Sequence, residues 1–289
     1  MQEKEIVLKV TYGNMSGIHW INDSCHQGLP ILALHGWLDN ANSFVPIAQN
    51  LIHAVPEIVA VDLAGHGHSD HREQGSHYHF VDYVFDVMEC VELLGWKRFV
   101  LLGHSMGAGI ACLIAAAAPA LINQIILIDG IGPISSRADA VTDQLAKSMR
   151  LHQRIAPRLK QMIYPDWNTL IERRASVGKI NRKTAEILVK RNAKQGDGQI
   201  LWLADRRLNL LSPMYMAEEQ VMSFLSRIDA ATLLIKAEQG LLSQRATSVS
   251  RIDAISKLDV VELPGGHHVH MENPGLVAAP LIRFLQSAS

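Results

Sequence analysis

The run Arg98-Phe-Val-Leu-Leu-Gly103-His104-Ser105-Met106-Gly107-Ala-Gly-Ile-Ala-Cys-Leu-Ile constrains this chain more than any other stretch. It begins as a continuous apolar segment of β type and ends as an alanine-rich helix, so Gly103 to Gly107 must reverse the chain between them. Glycine at both ends removes the Cβ atoms that would collide in so tight a turn. Ser105 is left at the tip, beside a helix N-terminus whose first N–H, that of Met106, points at negative charge developing on a nearby oxygen. Gly-x-Ser-x-Gly alone is short. With strand and helix on its two sides it has the mechanics of a strained turn that presents a nucleophile.

The flanking chain supplies the alternation such a turn requires. Glu5 to Thr11 and Gly17 to Asn22 read as an antiparallel pair joined at Tyr12-Gly13-Asn14. Apolar runs beginning at Pro30, Glu57 and Gln124 suit strands covered on both faces of a parallel sheet, and further strands begin at Ala231 and Asp259. Asn40 to His53 and His79 to Leu94 read as helices, the second stopped by Gly95, and a last helix runs to Phe284. From Ile134 to Arg227 the rhythm breaks into polar helical patterns punctuated by Pro157, Pro165, Gly178, Gly196, Gly198 and Pro213. That segment reads as a helical insertion in a doubly wound α/β sheet, whose sites lie at the strands' C-terminal ends.

Composition narrows the partners. The 289 residues suit one domain with a sizeable insertion, and 48% hydrophobic residues fill a large core. A net charge of −1 favours neither nucleic acid nor an anionic membrane surface. No apolar run reaches the roughly 18 to 20 residues of a membrane span, and no apolar signal core follows the charged start. Cys25, Cys90 and Cys112 lack pairing spacing and read as reduced thiols. The expectation is a cytoplasmic monomer or homodimer that meets a small molecule, without stable membrane association.

Four motifs in fixed order now carry a resemblance: His35-Gly36-Trp37, Asp62-Leu-Ala-Gly-His-Gly-His-Ser69, Gly103-His-Ser105-Met-Gly107 and Gly266-His267-His268-Val-His270-Met-Glu272. On them the chain resembles the α/β-hydrolase superfamily over essentially its whole length, and within it the serine-hydrolase-like branch. The resemblance implies an eight-stranded, mostly parallel sheet with helices on both faces, formed by residues 1–133 and 228–289. It also implies a helical cap, residues 134–227, inserted after the sixth strand. The implied activity is cofactor-free hydrolysis of a small or medium acyl compound, in first place a carboxylic ester. Thioesters and carbon-carbon bonds between carbonyls stay open, as does a non-catalytic or slow ligand-binding protein on the same fold.

A serine hydroxyl needs a base within reach and a third group to orient that base. His267 suits the base, since it follows the last strand after two glycines and comes after serine and acid in the order of this fold. His268 and His270 are its rivals, and His270 and Glu272 read as braces of the loop. Many relatives carry the acid where this chain has Gly240, so the carboxylate must come from elsewhere. Asp129, ending the strand beside the nucleophile strand, is preferred. Glu238 is the alternative, and Asp62 is assigned to a structural turn. The N–H groups of Met106 and Trp37 are the expected oxyanion donors. His35, Gly36, His104, Trp202 and Met216 are candidate substrate contacts. His66, His68, His71, His77 and His79 crowd one stretch without cysteine or a carboxylate pair nearby, and no metal is expected. The basic run Arg154 to Lys160, with Arg173 and Arg174, reads as the solvated face of cap helices.

Overall fold

In the computed structural model, which describes residues 2–287, alternate residues of the apolar runs go to opposite faces of one sheet. Its strands are β1 (Gln2–Val10), β2 (Gly13–Ile21), β3 (Ile31–Leu34), β4 (Glu57–Val61), β5 (Phe99–His104), β6 (Ile122–Ile128), β7 (Ala231–Gln239) and β8 (Leu258–Gly266). They lie in the order β1-β2-β4-β3-β5-β6-β7-β8. β2 pairs antiparallel with both neighbours and every other pair is parallel. The β1–β2 turn is tighter than expected: Val10 faces Gly13, which leaves only Thr11 and Tyr12 at the tip.

Strict side-chain alternation explains why the strands must be apolar throughout. Leu101, Leu127 and Leu234 join the cluster built with α2 (Asp82–Leu94) and α3 (Met106–Ala117). Their neighbours Leu102, Ile126 and Ile235 join the one built with α1 (Val45–Leu51) and the last helix (Pro274–Ser287). Removing one such side chain typically costs about 2–5 kcal/mol. Gly95 ends α2 in the left-handed region at φ 71°, as a glycine there allows. β3 and β5 are central, so their C-terminal ends, with His35 and Ser105, meet over the most deeply buried part of the sheet.

Between β6 and β7 the chain forms α4 (Val141–Ile155), α5 (Trp167–Gly178), α6 (Arg182–Asn192) and α7 (Glu218–Leu225). It also forms a small antiparallel sheet, with Gln199–Trp202 between Ile163–Tyr164 and Ala193–Gly196. Those strands were not expected, because Lys194 and Gln195 break any apolar alternation. The available signal was Asp197-Gly198, a hairpin dipeptide with both residues at positive φ. Leu170, Ile171, Leu188, Val189 and Ile200 give this segment its own apolar cluster. α7 departs from it and buries Val221 and Leu225 in the same cluster as α3. Buried polar contacts join the segment to the sheet: Arg191 donates to Asp62 at 2.7 Å, and Asn40 to the Leu188 carbonyl at 2.9 Å.

Candidate active site

Ser105 stands at φ 52° and ψ −109°, a conformation that costs a non-glycine residue about 1–3 kcal/mol and persists only when its surroundings over-determine it. They do. Ser105 N–H donates to Ile128 O at 3.0 Å, and Gly107 N–H to His35 O at 3.1 Å. A Cβ on Gly107 would overlap the Leu34 carbonyl, one on Gly103 would lie 2.6 Å from the Ala108 nitrogen, and one on Gly130 2.7 Å from Ser105 O. The small residues therefore let α3 and the β6 turn close on the serine from both sides.

The turn after β6 puts Asp129, at φ 42° and fully buried, against the loop after β8. Its Oδ2 lies 2.6 Å from His267 Nδ1 and accepts the Leu241 N–H at 2.7 Å. A Cβ at Gly240 would run into this carboxylate, so the missing carboxylate position is the space that Asp129 fills. The Glu238 side chain is exposed and makes no hydrogen bond or ion pair among the described residues. A carboxylate only accepts, so Nδ1 carries the proton and Nε2 is left as the basic nitrogen. Ser105 Oγ and His267 Nε2 make no hydrogen bond to each other among the described residues, and His267 is held through Nδ1.

Burial alone would push the Asp129 carboxyl up, but the bonds from His267 and Leu241 outweigh it and hold it below the usual carboxylate range. Burial, reinforced by neighbouring His104, holds the His267 imidazole below its ordinary value of 6.5, and Asp129 offsets this only in part. A base with a lowered pKa stays neutral further into acid and is lost only when pH falls through that lowered value. The acid limb of kcat/KM for a neutral ester is therefore expected to have its midpoint below 6.5. A pH-rate profile with that limb centred above 7 would contradict the burial of His267.

No hydrogen bond among the described residues uses the N–H of Trp37 or of Met106, the two expected oxyanion donors. The Trp37 indole is half exposed and donates to Leu208 O at 3.2 Å, so it touches the segment between β6 and β7. Three expected substrate contacts are corrected. His35 is fully buried, with Nδ1 2.7 Å from Gly36 O and Nε2 accepting the Leu63 N–H at 2.9 Å. His104 is equally buried and its Nε2 donates to His267 O at 2.9 Å. Gly36 is packed against His104. All three brace the site from behind. Trp202 packs against the segment's own cluster and Met216 against the main core. Asp62 holds the Ala41 and His68 N–H groups and Arg191, as a turn organiser does.

Sequence reading missed Asp39 and Arg174. The Asp39 carboxylate, fully buried, accepts from Arg174 at 2.5 Å and lies 3.1 Å from His268 Nε2 and 3.5 Å from His104 Nδ1. Arg174 is thus no part of a solvated face. Burial would raise the Asp39 pKa, yet His268, His104 and Arg174 hold it well below the usual range. Asp39, His104 and His268 offer three ligating atoms within 4.8 Å of one another, but the guanidinium already matches the charge a cation would need. His270 bonds Ser43 Oγ at 2.8 Å and Glu272 accepts the Asn181 N–H, so both brace the loop as expected.

The family model described as alpha/beta hydrolase fold matches residues 30–158. A serine hydrolase-like protein of Danio rerio is 31% identical over 99% of this chain and 89% of its own length. A second, from Dictyostelium discoideum, is 32% identical over 88% of this chain and 74% of its own. The crystal structure of a hypothetical protein from Pseudomonas aeruginosa PAO1 superposes with a TM-score of 0.90 at 34% identity, covering 98% of this chain and 99% of that one.

Proposed function

The chain belongs to the α/β-hydrolase superfamily, with serine hydrolase-like proteins as relatives over nearly its full length, and on that premise we propose that it hydrolyses a small or medium acyl compound, in first place a carboxylic ester. The observation that carries this reading is the 2.6 Å bond from His267 to Asp129 beside a strained, preorganised Ser105. Ser105 Oγ attacks the acyl carbon while His267 Nε2 takes its proton. The oxyanion that forms is held by the N–H groups of Met106 and Trp37, and His267 returns the proton to the leaving oxygen. Water then attacks the acyl-enzyme by the same route and releases the acid. Asp129 keeps the imidazole in the tautomer this requires and stabilises the imidazolium. Residues 134–227 act in this reading as the cap that sets acyl preference. No cofactor enters any step.

Turnover of p-nitrophenyl esters of graded acyl length by wild type and Ser105→Ala tests the proposal. At least one ester is expected to turn over with saturation, and Ser105→Ala to lose about a thousandfold or more. Equal rates in the two proteins would assign the site to ligand binding instead.

A further inference from the structure

We propose that Arg174, supplied by α5, is a positioning residue for the base His267, acting through Asp39 and the rings of His268 and His104 packed against it. This rests on the reading of Ser105 and His267 given above. The contacts run in one buried line. Arg174 Nη2 donates to Asp39 Oδ1 at 2.5 Å, and Asp39 Oδ2 lies 3.5 Å from His104 Nδ1. His104 Nε2 donates to the carbonyl of His267 itself at 2.9 Å. The same carboxylate meets the ring of the next residue, His268, at 3.1 Å. The carboxylate thus holds the side chain next to the base and packs against the ring whose other nitrogen holds the His267 carbonyl, while His104 Nδ1 itself has no hydrogen-bond partner among the described residues. Asp39 and His104 are fully buried and Arg174 nearly so.

The surroundings are cut to this line. A Cβ on Gly36 would come within 2.9 Å of His104 Nδ1 and 3.1 Å of Asp39 Oδ2. One on Gly178, in the last turn of α5, would run into Arg174 Nη1. Two glycines from separate parts of the chain therefore leave room for the same chain of side chains. Its consequence is that a residue of the segment between β6 and β7, hydrogen-bonded to Asp39 and to neither Ser105 nor His267, sets where the imidazole stands. Small displacements of a base cost rate steeply: a misplacement of about 1 Å can lose on the order of a hundredfold.

The experiment measures kcat and KM for the best ester, with fluorophosphonate labelling of Ser105 as an independent readout, in wild type, Arg174→Gln, Arg174→Lys and Gly178→Ala. Arg174→Gln is expected to lose about tenfold or more in kcat with KM nearly unchanged. Arg174→Lys should recover most of it, because the contact to Asp39 uses one nitrogen and a point charge can replace it. Gly178→Ala should lose kcat while keeping its thermal stability, since alanine is the better helix former and the atoms it displaces are the Arg174 guanidinium and, slightly, the tip of Ile180. That variant separates positioning from loss of fold. If wild type is labelled and active while Arg174→Gln and Gly178→Ala match it, the positioning role is wrong and the hydrolase reading stands. A wild type neither labelled nor active overturns the hydrolase reading and this inference with it.

Discussion

Asp129→Asn is expected to lower kcat by roughly a hundredfold or more with little change in thermal midpoint, while Glu238→Gln stays near wild type. An amide in place of the acid can offer its NH2 to Nδ1 and so favour the wrong tautomer, which cost on the order of ten-thousandfold in a Ser-His-Asp protease. Glu238 is exposed and without a partner among the described residues, so its charge has nothing to orient. Steady-state kinetics on one ester, with thermal melts of both variants, decide the matter. A crippled Glu238→Gln beside an active Asp129→Asn would move the acid to β7.

Gly240→Asp should be as damaging as Asp129→Asn, although it restores the residue that many relatives carry. The space beside Gly240 is already filled by the Asp129 carboxylate, which a Cβ there would strike. A second carboxylate adds like charge in a buried place, where one of the two must be protonated or expelled. Turnover is expected to fall by about a hundredfold and the thermal midpoint to drop. The double change Asp129→Gly with Gly240→Asp removes the collision, and should recover part of the activity lost in Gly240→Asp alone. Equal activity of Gly240→Asp and wild type would mean that the two positions do not compete for one space.

The elbow was legible because its constraint is local. Strand, two glycines, serine and helix follow one another in sequence, and the physics of a tight turn leaves few alternatives. His267 was legible through chain order and its glycines. The acid was half legible: Gly240 showed that a carboxylate was absent, but only the folded chain shows Asp129 occupying that space across 111 residues of sequence. Arg174 was misread for the same reason. A basic residue on a polar helix looks solvated until the partner, Asp39, arrives from 135 positions away in the chain. His104 and His35 were misassigned as substrate contacts because a motif gives proximity to the nucleophile without saying on which side of it a ring lies. Their ring nitrogens point into the protein, to His267 O, Gly36 O and Leu63 N–H.

The central claim is that Ser105 is an activated nucleophile, and intact-mass spectrometry after treatment with a fluorophosphonate at neutral pH tests it most directly. The account predicts one adduct per chain, mapped to the Ser105 peptide, absent in Ser105→Ala and slowed in Asp129→Asn. Folded wild-type protein that stays unmodified, or an adduct that persists in Ser105→Ala, would contradict it.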